Sequence, residues 1–410
     1  MPGMPYKIKS IVTRKLEGVN HFHYYLFRQL KGGGMEITMN VLLMARIIAK
    51  TGVGNHVKQL SEELANQGHR VWVVASTNDM GIGNNAVVRG LSGGGGIFKR
   101  IELRSRNPLT IHKSMNAIHK LIVDNDIEIV HCHHRMAGLF MAWYNLRWHM
   151  PYLWTLHLAP IPCDPLHRML TSYGKRAIAI SYEVGEFLKD SLKIPEKDIA
   201  YVLNGVDETD LCPVKQEEKV QIRNQMGISA DKTVIALHSR IDSVKNHEAV
   251  VEAVGMLTPQ EREGILILCS GEKNGAYYEM IQKRIGELGI GESFHFCGWV
   301  TAETILSVAD ALILPSLKEG FGLNCIEAMF MRVPVFRTKT GGYRDMWDYC
   351  IAMDEPSAQI VLKHLRGILS GEALDEDRID RAEVFVRKEC TVKAMTEHTL
   401  AVYEDVLRKN

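Results

Sequence analysis

Apolar runs of strand length alternate with helix-periodic stretches along most of this chain, and the alternation stops once and starts again. Asn40 to Ile48 is the first run, followed by the turn Thr51-Gly52-Val53-Gly54. Val57, Leu60, Leu64 and Ala65 then recur at helical spacing up to Gly68, a C-cap signal. Arg70–Ala75, Asp126–His131, Tyr152–His157 and Ala177–Ser181 continue the series. Apolar strands separated by helices predict a parallel sheet covered on both faces. Leu203-Asn204-Gly205-Val206-Asp207 is rich in turn formers and reads as a linker. Beyond it, Thr233–Leu237, Ile265–Ser270, Phe294–Cys297, Ala311–Leu314 and Val333–Arg337 repeat the pattern. The fold class is therefore α/β, with two Rossmann-like doubly wound domains at residues 35–205 and 206–391. A last helix, about Val392 to Arg408 within 392–410, is expected to cross back and brace the first domain.

A chain of 410 residues suits two such domains. No stretch approaches the roughly 18 apolar residues of a membrane-spanning helix. His21 and His23 interrupt the only candidate for a signal-peptide core. The eight cysteines stand singly, several inside apolar runs, which predicts reduced core thiols and a cytoplasmic address. Charge is unevenly divided: 25 Lys and Arg oppose 18 Asp and Glu through Cys212, leaving 24 against 30 in the remainder. Lys99, Arg100, Arg104, Arg106, Lys113 and Lys120 concentrate that excess near one expected helix, a pattern that suits peripheral contact with an anionic membrane. Residues 1–34 are basic and aromatic and end in three glycines. They read either as lying upstream of a start at Met35 or Met39, or as a membrane-facing or regulatory extension.

The segment from Pro315 through Glu319-Gly320-Phe321-Gly322-Leu323 to Glu327 carries the strongest chemical signal. A strand ends at Leu314, and a glycine-rich turn leads into a helix that starts near Leu323. Its unpaired N–H groups and partial positive charge suit a diphosphate. Gly320 and Gly322 allow close backbone approach to a ligand. Glu319 and Glu327 offer carboxylates that accept hydrogen bonds from vicinal hydroxyls, as a hexose and a ribose both present. The Gly52-Val53-Gly54 turn lacks the third glycine of a dinucleotide site, Val57 standing in its place, and the second strand ends at Ser76 rather than an acid. A nicotinamide dinucleotide is excluded on those grounds. His131-Cys132-His133-His134 has metal-ligand composition, but alternate strand-end side chains point to opposite faces, so no metal is expected there.

Glu319 and Glu327, seven residues between them, resemble the Glu-x7-Glu motif of retaining glycosyltransferases of the GT-B fold, particularly glycosyltransferase family 4. The resemblance covers Met39 to about Arg408. It implies that Glu319 contacts donor-sugar hydroxyls, that Glu327 contacts the nucleotide ribose, and that the amides of Phe321, Gly322 and Leu323 face sugar and phosphates. His238-Ser239-Arg240-Ile241-Asp242-Ser243-Val244-Lys245 looks like the family segment whose Arg and Lys neutralise the donor diphosphate, which implies that role for Arg240 and Lys245. Gly52 and Gly54 match the glycine loop near donor phosphate and acceptor. His157 matches the strand-end histidine near the transferred sugar, and Gly341-Gly342-Tyr343-Arg344-Asp345 matches a later Gly-Gly segment. His133 or His134 is expected to line the acceptor cleft. Departures from the pattern are Thr51, Ser239, Asn246, Asn324-Cys325, Arg332 and Asp345.

The resemblance implies transfer with retention from a nucleotide-sugar, UDP-linked before GDP-linked, to a glycan or lipid-linked acceptor in cell-surface polysaccharide or glycolipid synthesis. It implies no cofactor and no metal, and no nucleic-acid partner is expected. Rival readings on the same scaffold are a nucleotide-sugar epimerase or phosphorylase, or a non-catalytic sugar-nucleotide-binding subunit. Against these stand the lack of a lysine in a cofactor-attachment setting and the intact set Glu319, Glu327, Arg240 and Lys245.

Overall fold

The computed structural model describes residues 38–49, 51–82, 97–273, 275–371 and 375–408. The N-terminal extension, residues 1–34, lies outside them. Seven strands form the first sheet: β1 (Asn40–Met44), β2 (Arg70–Ala75), β3 (Ile97–Arg100), β4 (Ile129–Cys132), β5 (Tyr152–Leu156), β6 (Ala177–Ala179) and β7 (Ile199–Tyr201). Six form the second: β8 (Thr233–His238), β9 (Ile265–Ser270), β10 (Phe294–Gly298), β11 (Ala311–Leu314), β12 (Val335–Thr338) and β13 (Ile351–Met353). The orders are β3-β2-β1-β4-β5-β6-β7 and β10-β9-β8-β11-β12-β13, and β1–β2, β1–β4, β8–β9 and β8–β11 all pair in parallel. All-buried runs such as Val41–Met44, Tyr152–Leu156 and Ala311–Leu314 leave no side for water, so helices cover both faces. In each sheet the order reverses once, between β1 and β4 and between β8 and β11. A crevice opens beyond the strands' carboxyl ends at such a reversal.

The last helix, Val392–Arg408, returns to the first sheet. Met395, Tyr403 and Val406 are buried in one cluster with Val41, Leu43, Leu60 and Leu64. Tyr403 also completes a polar contact inside that core, its hydroxyl 2.8 Å from His131 Nδ1. The linker is not a free tether. Val206 N donates to Cys390 O at 3.0 Å and Val392 N donates to Val206 O at 3.1 Å, so the two crossings between domains run side by side. Among the described residues no helix is long and apolar enough to cross a membrane.

Several expected boundaries shift. The first strand stops at Met44 rather than Ile48: Arg46 N donates to His134 Nδ1, and Ile48 returns only as an isolated bridge to Asn78. The strand expected from Asp126 starts at Ile129, because Asp126 occupies a left-handed turn at φ 48. The basic residues expected near one helix are divided among edge strand β3 (Lys99, Arg100), the loop after it (Arg104, Arg106) and the helix Pro108–Asp124 (Lys113, Lys120), all exposed.

The paired crossings leave no room at Gly205, where an added Cβ would lie 2.2 Å from Thr391 O. Gly205→Ala is expected to lose about 1–3 kcal/mol by overpacking. Gly286→Ala, on a helix with nothing within 4 Å of the new methyl, is expected to gain about 0.4–1 kcal/mol. Urea unfolding of the two variants checks both signs.

Candidate active site

The second sheet's crevice gathers the residues singled out at Pro315–Glu327 and His238–Lys245. β11 ends at Leu314, the turn 315–322 follows, and Gly322, at φ 95, opens the helix Leu323–Phe330. β8 ends at His238, and the loop after it carries Arg240 and Lys245. Lys245 Nζ lies 2.6 Å from Glu319 Oε1, which also accepts from Ser316 Oγ at 2.8 Å. Both ends of that pair are nearly buried, so the ammonium fixes the carboxylate at the base of the turn. Arg240 does not join them: its side chain is largely exposed and meets Asp242 at 3.1 Å.

The turn is held from behind by Arg337 on β12, a residue that sequence reasoning read only as strand. Its buried guanidinium donates to Phe321 O at 3.1 Å and Gly341 O at 2.6 Å. Backbone packs directly on backbone here, since a Cβ at Gly341 would stand 2.3 Å from Glu319 O and one at Gly342 2.1 Å from Phe321 O. The Gly-Gly pair is thereby explained.

Glu327 projects from the helix with its carboxylate 3.7 Å from His238 Nε2. Burial pushes it up to about 7, and His238 down to about 4, so a neutral imidazole offers the carboxylate no charge. Departures from the family pattern find local uses. Asn324 Nδ2 donates to His238 O at 2.7 Å, joining the helix to β8. Asn246, left-handed at φ 57, donates to Pro315 O and Pro356 O. Thr51 caps the helix Gly52–Asn66 through Gly54 N. Arg332, beyond the far end of the Glu327 helix, pairs with Glu376, Asp380 and Glu383, so its contacts are with the helix Glu376–Glu389 and not with the turn.

The first sheet's crevice faces this turn. Gly52 begins its helix beside Leu323, with 3.9 Å between the site of a Cβ and Leu323 Cδ1. Gly54, within the same first turn, backs onto Ala49 O. His157, just beyond β5, presents its carbonyl to Gly320, where a Cβ would come within 2.3 Å. Its Nε2 is 3.1 Å from His133 Nδ1, and both rings flank His56. His134 turns away and accepts from Arg46 N through Nδ1. Burial, the largest cause, pushes His56 and His134 down to about 4 and His133 and His157 well below the usual range, so all four are neutral at pH 7. His131, by contrast, is absorbed by Tyr403 and Thr155.

Two short helices close the cleft by exchanging caps. Glu183 accepts from Gly342 N at 2.8 Å and Arg344 N at 2.9 Å, while Asp345 accepts from Tyr182 N at 2.9 Å. Arg344 adds a 2.7 Å contact to Glu186 and lies 3.9 Å over the Tyr182 ring. Lys318 Nζ donates to Pro160 O at 3.0 Å. Glu183, His56 and Arg337 were missed in the sequence. Only His56 had a signal, its place two residues after Gly54.

Residues 218–383 match the family described as Glycosyl transferases group 1, and residues 50–210 match Glycosyltransferase Family 4. An uncharacterized glycosyltransferase of Methanocaldococcus jannaschii is 23% identical over 315 residues, 72% of this chain and 78% of that one. A glycosyltransferase of Rickettsia africae superposes with a TM-score of 0.79 at 18% identity, over 91% of this chain and all of that one. HepE of Anabaena, solved in complex with UDP, gives 0.75 at 14% identity, over 90% of this chain and all of that one.

Glu327 also sets a pH dependence. Its folded value, about 7, lies above the ordinary 4.5 of an unfolded Glu, so its contribution to stability is fully present below pH 4.5 and is lost as pH rises through 7. Glu327→Gln should therefore unfold at a higher temperature than the parent at pH 8, by an increment of up to roughly 3 kcal/mol, and show little difference at pH 4.5. Paired thermal melts across that range measure it.

Proposed function

The chain belongs to the GT-B glycosyltransferases of family 4, and on that premise we propose that it transfers a sugar, with retention at the anomeric carbon, from a nucleotide-sugar bound at the second domain. The observation that carries the reading is the Lys245–Glu319 pair at the foot of a glycine turn that opens a helix and presses against His157 O. In this reading the diphosphate lies at the amides of Phe321, Gly322 and Leu323, with Lys245 beside it. Arg240, exposed and paired with Asp242, swings onto it when donor arrives. Glu319, freed in part from Lys245, takes the sugar hydroxyls, and the ribose hydroxyls supply Glu327 with the donors it lacks. UDP is the favoured carrier, since HepE was solved with it.

The acceptor hydroxyl attacks from the side of the departing diphosphate, whose oxygen takes the proton. His157 is assigned a contact to a sugar hydroxyl, and His133 a place behind it. His134, spent on Arg46, is the weaker acceptor-side candidate. Charge neutralisation by Lys245, Arg240 and the helix terminus makes a metal unnecessary for holding the diphosphate. The acceptor is proposed to be a glycan or a lipid-linked sugar. The exposed Lys99, Arg100, Arg104, Arg106, Lys113 and Lys120, with Leu109 exposed among them, would give reversible contact with the cytoplasmic face of an anionic membrane.

A panel of UDP-, GDP- and ADP-sugars, scored by thermal stabilisation in EDTA, tests the donor reading. One class should stabilise the parent without added metal. Glu327→Ala should lose that shift, and Glu319→Ala should bind but turn over slowly, each change worth about 1.5–3 kcal/mol. Parent-like binding and turnover in both variants sinks the assignment; donor interconversion or phosphorolysis without an acceptor would favour the epimerase or phosphorylase reading, and binding without any turnover the non-catalytic one.

Sedimentation with vesicles tests the membrane reading. The parent should pellet with anionic vesicles at low salt and be released at high salt, because screening acts over about 8–10 Å. Reversing Arg100, Arg104 and Arg106 should abolish pelleting and leave donor-induced stabilisation intact. A parent that ignores anionic vesicles at low ionic strength refutes membrane contact.

A further inference from the structure

Three histidines from three separate elements meet at the mouth of the first sheet. His56 lies in the first turns of the helix Gly52–Asn66, His133 follows β4, and His157 follows β5. One ring nitrogen from each can be chosen so that all three lie within 4.8 Å of one another. Two of these side chains carry a buried nitrogen, His56 Nε2 and His133 Nε2, with no hydrogen-bond partner among the described residues. His56 is only 5% exposed and His133 2%. An unsatisfied polar atom at that depth is unfavourable by about 1–3 kcal/mol.

The orientation of His56 is fixed from outside the cluster. Its Nδ1 lies 3.0 Å from Asn204 Oδ1, an acceptor, so Nδ1 carries the proton and Nε2 presents a bare lone pair. A ligating histidine is oriented in this way by a partner on its other nitrogen. His131 packs on His133 with ring centroids 4.1 Å apart, but both of its nitrogens are taken, so it supports the cluster without joining it.

We propose that His56, His133 and His157 form a binding site for one divalent transition ion, zinc or its near neighbours cobalt, nickel and copper. Three imidazoles without a carboxylate suit a borderline ion and not magnesium or calcium, which seek oxygen ligands. Ligand nitrogens at 2.0–2.1 Å from zinc stand about 3.3 Å apart in a tetrahedron. His133 Nδ1 and His157 Nε2, 3.1 Å apart, already stand near that separation, and His56 offers its bare Nε2 as the third ligand. Three protein ligands leave a fourth position, and His157, the least buried of the three, is the side from which water or an acceptor oxygen reaches it. The site lies apart from the donor diphosphate but takes His157, so an ion bound there stands in place of that ring's proposed contact to a sugar hydroxyl.

Untagged protein, stripped with chelator and dialysed, is titrated with zinc in a calorimeter and with cobalt in a spectrophotometer. The expected result is one equivalent of either ion, cobalt bands of imidazole ligation, and no heat with magnesium. His56→Gln and His133→Gln should abolish the cobalt spectrum, and Asn204→Ala should weaken zinc about 10- to 100-fold. His119→Gln, whose ring stacks on Trp148, should bind as the parent does. Circular dichroism and cooperative thermal melting check that each variant folds. If a variant does not fold, the parent decides alone: no equivalent of bound cobalt or zinc overturns the proposal. Equal binding by parent and folded His56→Gln overturns it as well.

Discussion

Each domain offers the other a helix N-terminus with unpaired amides, and each supplies the carboxylate that the other needs. Glu183 satisfies Gly342 and Arg344, and Asp345 satisfies Tyr182. A helix start buried without a cap would leave donors unmet, so the exchange binds the domains only in an arrangement that brings both carboxylates home. That arrangement also sets His157 O against Gly320 and Lys318 against Pro160 O. The geometry of the cleft is thus a consequence of capping as much as of apolar packing.

Inside the cleft, charge is placed by what lies behind it. Arg337 reaches from β12 to the carbonyls of Phe321, Thr340 and Gly341 and fixes the turn's path, and the turn in turn fixes Glu319 against Lys245. Among the described residues Glu327 has no such partner, and burial raises it to about 7. Two carboxylates on one segment therefore have opposite electrostatic situations, one paired and one waiting. A ligand with hydroxyls at both ends would disturb the first and satisfy the second.

The architecture was readable because its signal is long and repeated. β2, β9 and β11 fall on the residues that the apolar runs mark. Elements with weak patterns escaped: β3 is an edge strand with exposed Ile97, Lys99 and Arg100, and β7 and β13 are three residues each. The site was legible where chemistry sits in one contiguous segment, as from Glu319 to Glu327. It was illegible where groups far apart in sequence converge. Glu183 and Gly342 are 159 positions apart and His56 and Asn204 are 148, and neither pair leaves a local trace. The histidines showed this most sharply, for the contiguous run 131–134 drew attention while the cluster that formed took one member from it.

The return of the last helix has a consequence for how the protein comes into being. His131 is sealed in the first domain's core, yet the hydroxyl that meets its Nδ1 belongs to Tyr403, 272 residues later. A chain leaving the ribosome from its amino end has made the whole second domain before that hydroxyl exists. Until then the first domain holds an apolar groove where Met395, Tyr403 and Val406 will sit. The first domain to be synthesised is therefore the last to be finished, and the exposed groove is the feature that a chaperone would meet during the interval.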